Sequence, residues 1–494
     1  MSKRVNKIVL VIVALLLPAA VEAQAGYSAE YGASIRKADR KLLQEGLYLG
    51  MYEGLHCWAG HCADGNIRVA LTDDDLTFHG EADLPEATRY CDILSGTLRD
   101  GVVHLMIVDS ASEGHTMVYK AAVELAFVGT DSTALAMATI DSLTYGPTDH
   151  CYVWTALSPN GQWVGKVVVV QYPERLQYSA LAELYDCKMN RVWEKEYAVG
   201  SMEQLCVTDQ GELVSLGYEA YDGETHFVYN IIGKERASSF DVVVACYPVR
   251  QLRLAGVVGR KAVGVGLFTP EDSREQDNLC GGTLGMAFDI DSAILTGFTM
   301  RPFQNEDMNI MLNQKTRTIQ TQQILDLVSI SGVATTSYGA VLAAGRNWRS
   351  NIVEDNGVPY HTHTRMGLHL TAIDTNGNVR WVRNIRRNDI QRDNDDLLNI
   401  GFHSYGDTVA VVKTEYPRTP VTYDVSHSTK PLIAGKKSNL ALYTIAPNGK
   451  VEKWMLDFKK KQALLRSTLR PNGELVLLTC DGRHTSICRA RKDK

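Results

Sequence analysis

An apolar run, a turn carrying glycine and a second apolar run recur along this chain. The unit appears as TLRDGVVHLMIV about Gly101, TALSPNGQWVGKVVVV about Gly161, LCVTDQGELVSLGY about Gly211 and RLAGVVGRKAVGVGLF about Gly259. It continues as ATTSYGAVLAAG about Gly339, GFHSYGDTVAVV about Gly406 and TLRPNGELVLL about Gly473, seven instances in all. Asn-Gly and Asp-Gly supply the positive φ angles of a tight hairpin, so turn chemistry and hydrophobic pattern agree. The runs after each glycine are rich in Val, Leu and Ala, which predicts strands buried on both faces.

A second hairpin follows the first, as in residues 180–197, 226–244, 282–300, 370–385 and 439–458. One repeat is then two hairpins, or four antiparallel strands. Seven such repeats predict an all-β chain folded as a β-propeller, with six or eight blades as the other counts. Each unit has apolar faces that only a neighbour can cover, so the units must stack and the ring must close. A pair of β-sandwich domains competes, but sandwiches do not need one turn type at every repeat. Residues 66–80 read as a second hairpin lacking a first, and the last glycine hairpin is followed by one further strand. Closure by an N-terminal strand that completes the last blade would account for both. Residues 34–45 predict a short helix stopped by Gly46. The expected organisation is a leader at 1–25, an N-terminal segment with that helix at 26–65, and the propeller at 66–494.

Composition adds a destination. Lys3, Arg4 and Lys7 precede an apolar stretch of 13 residues from Ile8 to Ala20, and Ala23 and Ala25 follow in an A-x-A arrangement. This is the pattern of a secretory signal peptide, too short to span a bilayer comfortably. The expected location is the periplasm, the cell surface or the extracellular space, with no transmembrane segment once the leader is removed. The whole chain carries −6, and taking away the leader's net +2 leaves −8, which argues against nucleic acid as a partner. An exported chain can hold disulfides, and its ten cysteines leave many pairings open. Cys57 with Cys62, flanking WAGH, and Cys480 with Cys488, flanking DGRHTSI, are the local candidates. Buried free thiols are the alternative at each.

The stretch AIDTNGNVRW, residues 372–381, resembles the tryptophan-docking repeat of PQQ-like propellers. Ala372, Asp374, Gly377 and Trp381 carry the match, with one residue fewer between Asp and Gly than is usual. Residues 442–458 match less closely, because Trp454 stands five after Gly449, and Asp186 with Trp193 keep only the ends of the motif. Over most of 66–491 the chain also resembles an uncharacterised group of exported bacterial propellers. In PQQ-like propellers the Trp packs between blades, so the resemblance implies a structural role for Trp193, Trp381 and Trp454. The quinoprotein dehydrogenases add vicinal cysteines over their cofactor. This chain has none, so the resemblance implies no cofactor.

No catalytic or metal residue is assigned. HCWAGHC, residues 56–62, gathers two His and two Cys that zinc could use, yet adjacent His-Cys pairs do not aim both side chains at one ion. His361 and His363 alternate along a strand and share a side, which would suit a metal or a substrate, although an exposed strand edge or loop is the stronger reading. The connections between first and second hairpins lengthen at 268–282, 346–365 and 415–437, and in a propeller they emerge on one face. Trp348, Tyr360, His361, His363, Tyr416, Arg418 and Tyr423 are the expected binding face, aromatic and Arg anchors being suited to protein or glycan contacts. The expected function is an exported, non-enzymatic scaffold that binds a protein partner or a glycan of the cell envelope. A propeller glycosidase or lyase, and a structural subunit of an envelope assembly or secretion complex, are the alternatives.

Overall fold

The computed structural model describes residues 27–34 and 40–492 except for short connections, the larger being 129–134, 243–248, 270–278, 416–422 and 457–462. Eight antiparallel sheets of four main strands follow one another along the chain. Blade I holds Leu47–Tyr52, Leu55–His61, Ile67–Thr72 and Phe78–Leu84. Blades II to V cover residues 91–144, 150–197, 201–242 and 249–302; blade VI covers 328–392 and blade VII 400–456. Blade VIII joins Ala463–Leu469, Leu475–Cys480 and Thr485–Lys492 with Tyr27–Ser34, whose partner is Thr485–Lys492. From blade I to blade VIII the first strand of each blade contacts the first strand of the next, so these strands line a central channel. Leu43, Trp58, Val476 and Leu478 form an apolar cluster between blades I and VIII. Antiparallel alternation puts the hairpin turns of every first hairpin on one face. The links between second and third strands, and those between blades, lie on the other.

The β-propeller has eight blades, not the seven that the glycine turns predict. The missed unit is the first hairpin of blade I, which turns at Glu53 and Gly54 with φ of 50° and 82°. Its second strand reads LHCWAGH, and its cysteine and histidines give it the look of a ligand loop. It is a buried strand with Trp58 and Ala59 in the interior. The segment set at 26–65 therefore supplies strands to blades I and VIII. Its helix spans Arg40–Glu45, and residues 35–39 lie outside the described residues.

The innermost strands are crowded, and six of the eight carry a register shift against their partner. These fall between Tyr48 and Gly50, Ile93 and Ser95, Met202 and Gln204, Val249 and Gln251, Ile330 and Gly332, and Leu464 and Arg466. A bulge raises local twist and re-aims side chains, which lets strands converge at the channel. Side chains of the neighbouring blade satisfy some of their free backbone edges. Gln204 Oε1 accepts from Leu254 N–H (2.6 Å) and Gln251 Oε1 from Ile330 N–H (3.0 Å).

The turn in AIDTNGNVRW differs from the two-residue form. Gly377 N–H donates to Asp374 O (2.9 Å), and the Asp374 carboxylate accepts from the N–H groups of Asn376 and Asn378 (2.8 and 2.9 Å). Gly377 has φ of 77°, whereas Asn376 is not in the left-handed region. The turn is thus a longer loop closed by the Asp side chain, with glycine at its one left-handed position. It is pressed against blade V: a Cβ on Gly297 would stand 1.7 Å from Asn376 O. Other turns are held by long side chains of the preceding blade. Arg99 Nη2 donates to Gly161 O (2.9 Å), Trp163 Nε1 to Asp209 O (3.0 Å) and Arg383 Nε to Gly449 O (2.5 Å).

Trp193, Trp381 and Trp454 all lie on the fourth strands of their blades. Each joins an apolar cluster shared with the next blade, III with IV, VI with VII and VII with VIII. Charge is also buried at a seam. Lys166 of blade III is fully buried on Glu183 and on Asp141 of blade II (2.7 Å), and Tyr185 donates its hydroxyl to Glu183 (3.0 Å). Pairing of this kind is what makes a buried ammonium tolerable.

Candidate functional site

Three insertions lie on the long-link face of blades V to VII. Blade V ends at Pro302, and the chain then enters the helix Asn305–Met311. Gln304 N–H donates to the Asp307 carboxylate (2.8 Å), and Glu306 and Asp307 set negative charge at the positive end of the helix. Met308 and Met311 enter a cluster with Val263 and Val265 of blade V and Ala340 and Leu342 of blade VI. Each buried Met contributes roughly 1.5–3 kcal/mol, so the helix is seated in that seam rather than resting on it. The 346–365 link forms a small hairpin, Val353–Asp355 with Val358–Tyr360. The 415–437 link returns to blade VI, where Leu432–Ile433 pairs in parallel with residues 389–390.

Blade VI is built to receive them. Its third and fourth strands, Thr362–Asp374 and Val379–Arg392, run to 13 and 14 residues, longer than any other described strand. Between them and the helix lies a buried polar network. Asn384 Nδ2 donates to Asp307 Oδ1 (2.8 Å), and Arg301 Nη1 to Asp307 Oδ2 (2.7 Å). His369 Nδ1 faces two acceptors, Asn384 Oδ1 (2.9 Å) and Asp307 Oδ1 (3.3 Å), so it carries the proton, and Nε2 accepts from the Thr371 hydroxyl (3.0 Å). Burial alone would raise the Asp307 carboxyl. His369, the Gln304 N–H and Arg301 outweigh it and hold the group well below the usual carboxylate range.

Beside this network is a recess of about 690 Å³ lined by residues 304–306, Thr316 and residues 423–426. Its walls carry amide, hydroxyl and carboxylate groups, with Tyr423, Val425 and side-chain methylenes making the larger, apolar share of the surface. Thr316 Oγ1 donates to Ser426 O (3.4 Å), joining the two insertions at the rim. Behind it Arg386 is 5% exposed, its Nε donating to Val425 O (2.9 Å). Burial depresses its guanidinium, with Asp424 and Glu306 opposing.

The residues expected at the binding face divide. Trp348 is 47% exposed near the end of Gly339–Arg349. Tyr360 ends the small hairpin. His361 and His363 stand at the start of the long third strand, both part-buried, and His363 Nε2 has no hydrogen-bond partner among the described residues. Tyr416 and Arg418 lie outside the described residues, as does most of 268–282. Tyr423 is not the exposed anchor expected: its hydroxyl donates to Asn384 O (2.7 Å), its ring meets Tyr443 edge-on, and burial pushes its phenol up to about 12. It fastens its loop to blade VI.

Neither candidate disulfide is formed. Cys57 and Cys62 lie five positions apart along extended chain, an odd step, so they point to opposite faces and join different clusters. Cys488 stands opposite Leu477, three places along from Cys480, which puts the pair beyond disulfide reach. The helix Asn305–Met311 and His369 were not read as functional from sequence. The acidic first turn after Pro302 and a lone His in the apolar run LHLTAI are the signals that could have marked them.

No family model matches the chain, and no curated protein sequence matches it, so the tryptophan-docking resemblance gains no support there. Among solved structures the chain is similar to the WD40 domain of SCAP from fission yeast, at 9% identity over 94% of this chain and 98% of that one, with a TM-score of 0.39. It is similar to the polysaccharide lyase Uly1, at 10% identity over 95% and 98% of the two chains, TM-score 0.37. It is also similar to the β-propeller domain of the Trilobed protease from Pyrococcus furiosus, at 10% identity over 69% and 82%, TM-score 0.34.

Proposed function

We propose that this propeller is a binding module for a neutral, hydroxyl-rich glycan, seated in the recess between the helix Asn305–Met311 and the 423–426 segment. The leader-like N-terminus makes it an exported component of the cell envelope in this reading. One observation carries the ligand class. The recess presents side-chain amides, hydroxyls and carboxylates beside an apolar patch with Tyr423 and Val425, from two fastened insertions: donors and acceptors for sugar hydroxyls and an apolar surface for the ring. Because both insertions are tied to blade VI through Asp307 and Tyr423, the recess is preorganised, which lowers the ordering cost of binding.

The exposed Trp348 favours a second reading, a protein partner on the projecting strands of blade VI. A glycan array with the purified protein and two variants separates them. Glu306→Trp fills the recess mouth and is expected to abolish glycan binding, while Trp348→Ala leaves it intact. Glycan binding unaffected by Glu306→Trp would remove the recess from the account. Capture of an envelope protein that Trp348→Ala alone abolishes would favour the partner reading. Cleavage of a bound glycan would make the protein a glycan-degrading enzyme, and a fixed stoichiometric complex a structural subunit.

A further inference from the structure

A second cavity, of about 500 Å³, lies in the central channel among residues 333–335 of blade VI, 402–404 of blade VII and 466–469 of blade VIII. These residues occupy the later halves of innermost strands, so the cavity opens toward the hairpin-turn face, away from the glycan recess. Its polar wall is ordered. Ser467 Oγ is 2.6 Å from His403 Nε2 and lies over Gly401, where a Cβ would stand 1.9 Å from that oxygen. Burial and then the Arg466 charge push His403 down to about 4, so the ring is neutral at neutral pH and shares one hydrogen bond with the serine hydroxyl.

Arg466 stands outside this pairing. It is part-buried, burial lowers its guanidinium, and Glu45 acts on it only through its charge. No hydrogen bond or ion pair holds its five donors among the described residues, whereas Ser467 and His403 beside it hold each other. Ser404 and Thr468 put two further hydroxyls on the wall. We propose that this cavity binds a small molecule bearing a single carboxylate, paired in the forked geometry with Arg466 and flanked by the hydroxyls of Ser404 and Thr468. Monoanion is preferred to dianion because the wall offers one fixed positive charge, with His403 neutral and Glu45 opposing. A planar carboxylate also matches two parallel guanidinium donors.

Saturation-transfer NMR on the full chain tests this with acetate as the probe and inorganic phosphate as competitor. Wild type is expected to give a saturable acetate signal. Arg466→Gln should weaken it by roughly tenfold or more, and Arg466→Lys by less, since the charge stays while the fork is lost. Phosphate should displace acetate only at higher concentration than propionate does. Absence of a saturable signal, or an equal signal in wild type and folded Arg466→Gln, overturns the site. Displacement by phosphate at lower concentration than propionate overturns the carboxylate assignment. If Arg466→Gln does not fold, Ser404→Ala and Arg466→Lys carry the test, and acetate binding unchanged in both overturns the proposal.

Discussion

The ring of Trp381, on the fourth strand of blade VI, lies against Gly449 at a turn of blade VII. A Cβ added at Gly449 would stand 2.9 Å from Trp381 Cγ, and the glycine has φ of 80°. Gly449→Ala therefore meets both a steric block and an unfavourable backbone region, a cost of about 1–3 kcal/mol. Trp381→Ala should cost about 3–5 kcal/mol by emptying the VI–VII seam. Because the two changes touch one contact, the double variant should lose less than the sum. Denaturant midpoints check this, and strict additivity would show that the two residues do not share the seam.

Acid should weaken the channel. His403 titrates near 6.5 when unperturbed and at about 4 in the folded protein. Between those values the unfolded chain binds a proton that the folded one does not, so stability falls as pH drops through that window. Melting curves of wild type and His403→Gln across it should diverge, with the flatter profile in the variant. Identical slopes would mean that His403 is not buried as described.

The thiols should be silent in the native state. Burial pushes Cys57, Cys206 and Cys280 each up to about 12, far from a reactive thiolate at neutral pH. Maleimide labelling followed by mass spectrometry should modify these three only after denaturation. Reducing agent should leave the melting temperature unchanged, and a drop on reduction would point to a disulfide.

The strand Tyr27–Ser34 should matter more than its place near the N-terminus suggests. It covers the outer edge of Thr485–Lys492, with Tyr27 opposite Lys492 and Tyr31 opposite Cys488. Deleting residues 27–34 exposes that edge to pairing with other chains. The expected outcome is a lower melting temperature and concentration-dependent association in light scattering. A monomeric variant with wild-type stability would show that blade VIII holds with three strands.

The strand-turn-strand pattern was legible because it is local. Val, Leu and Ala runs, punctuated by glycine, determine strands and turns within a dozen residues, while the seam role of Trp381 was implied by the resemblance of its hairpin to a tryptophan-docking repeat. Blade I escaped because the strand after its turn, YEGL, carries cysteine and histidine in place of a Val, Leu and Ala run. The cysteine pairs misled because nearness along a strand says nothing of facing, which alternates residue by residue.

The sequence by itself thus determined the all-β class, the four-stranded unit and the propeller. Tertiary structure alone decided the number of blades, the seating of the helix Asn305–Met311 against His369 and Asn384, and the meeting of His403 with Ser467 and Arg466. Those contacts join residues tens of positions apart on different blades. No local propensity encodes them; they follow from how eight twisted sheets pack around one axis.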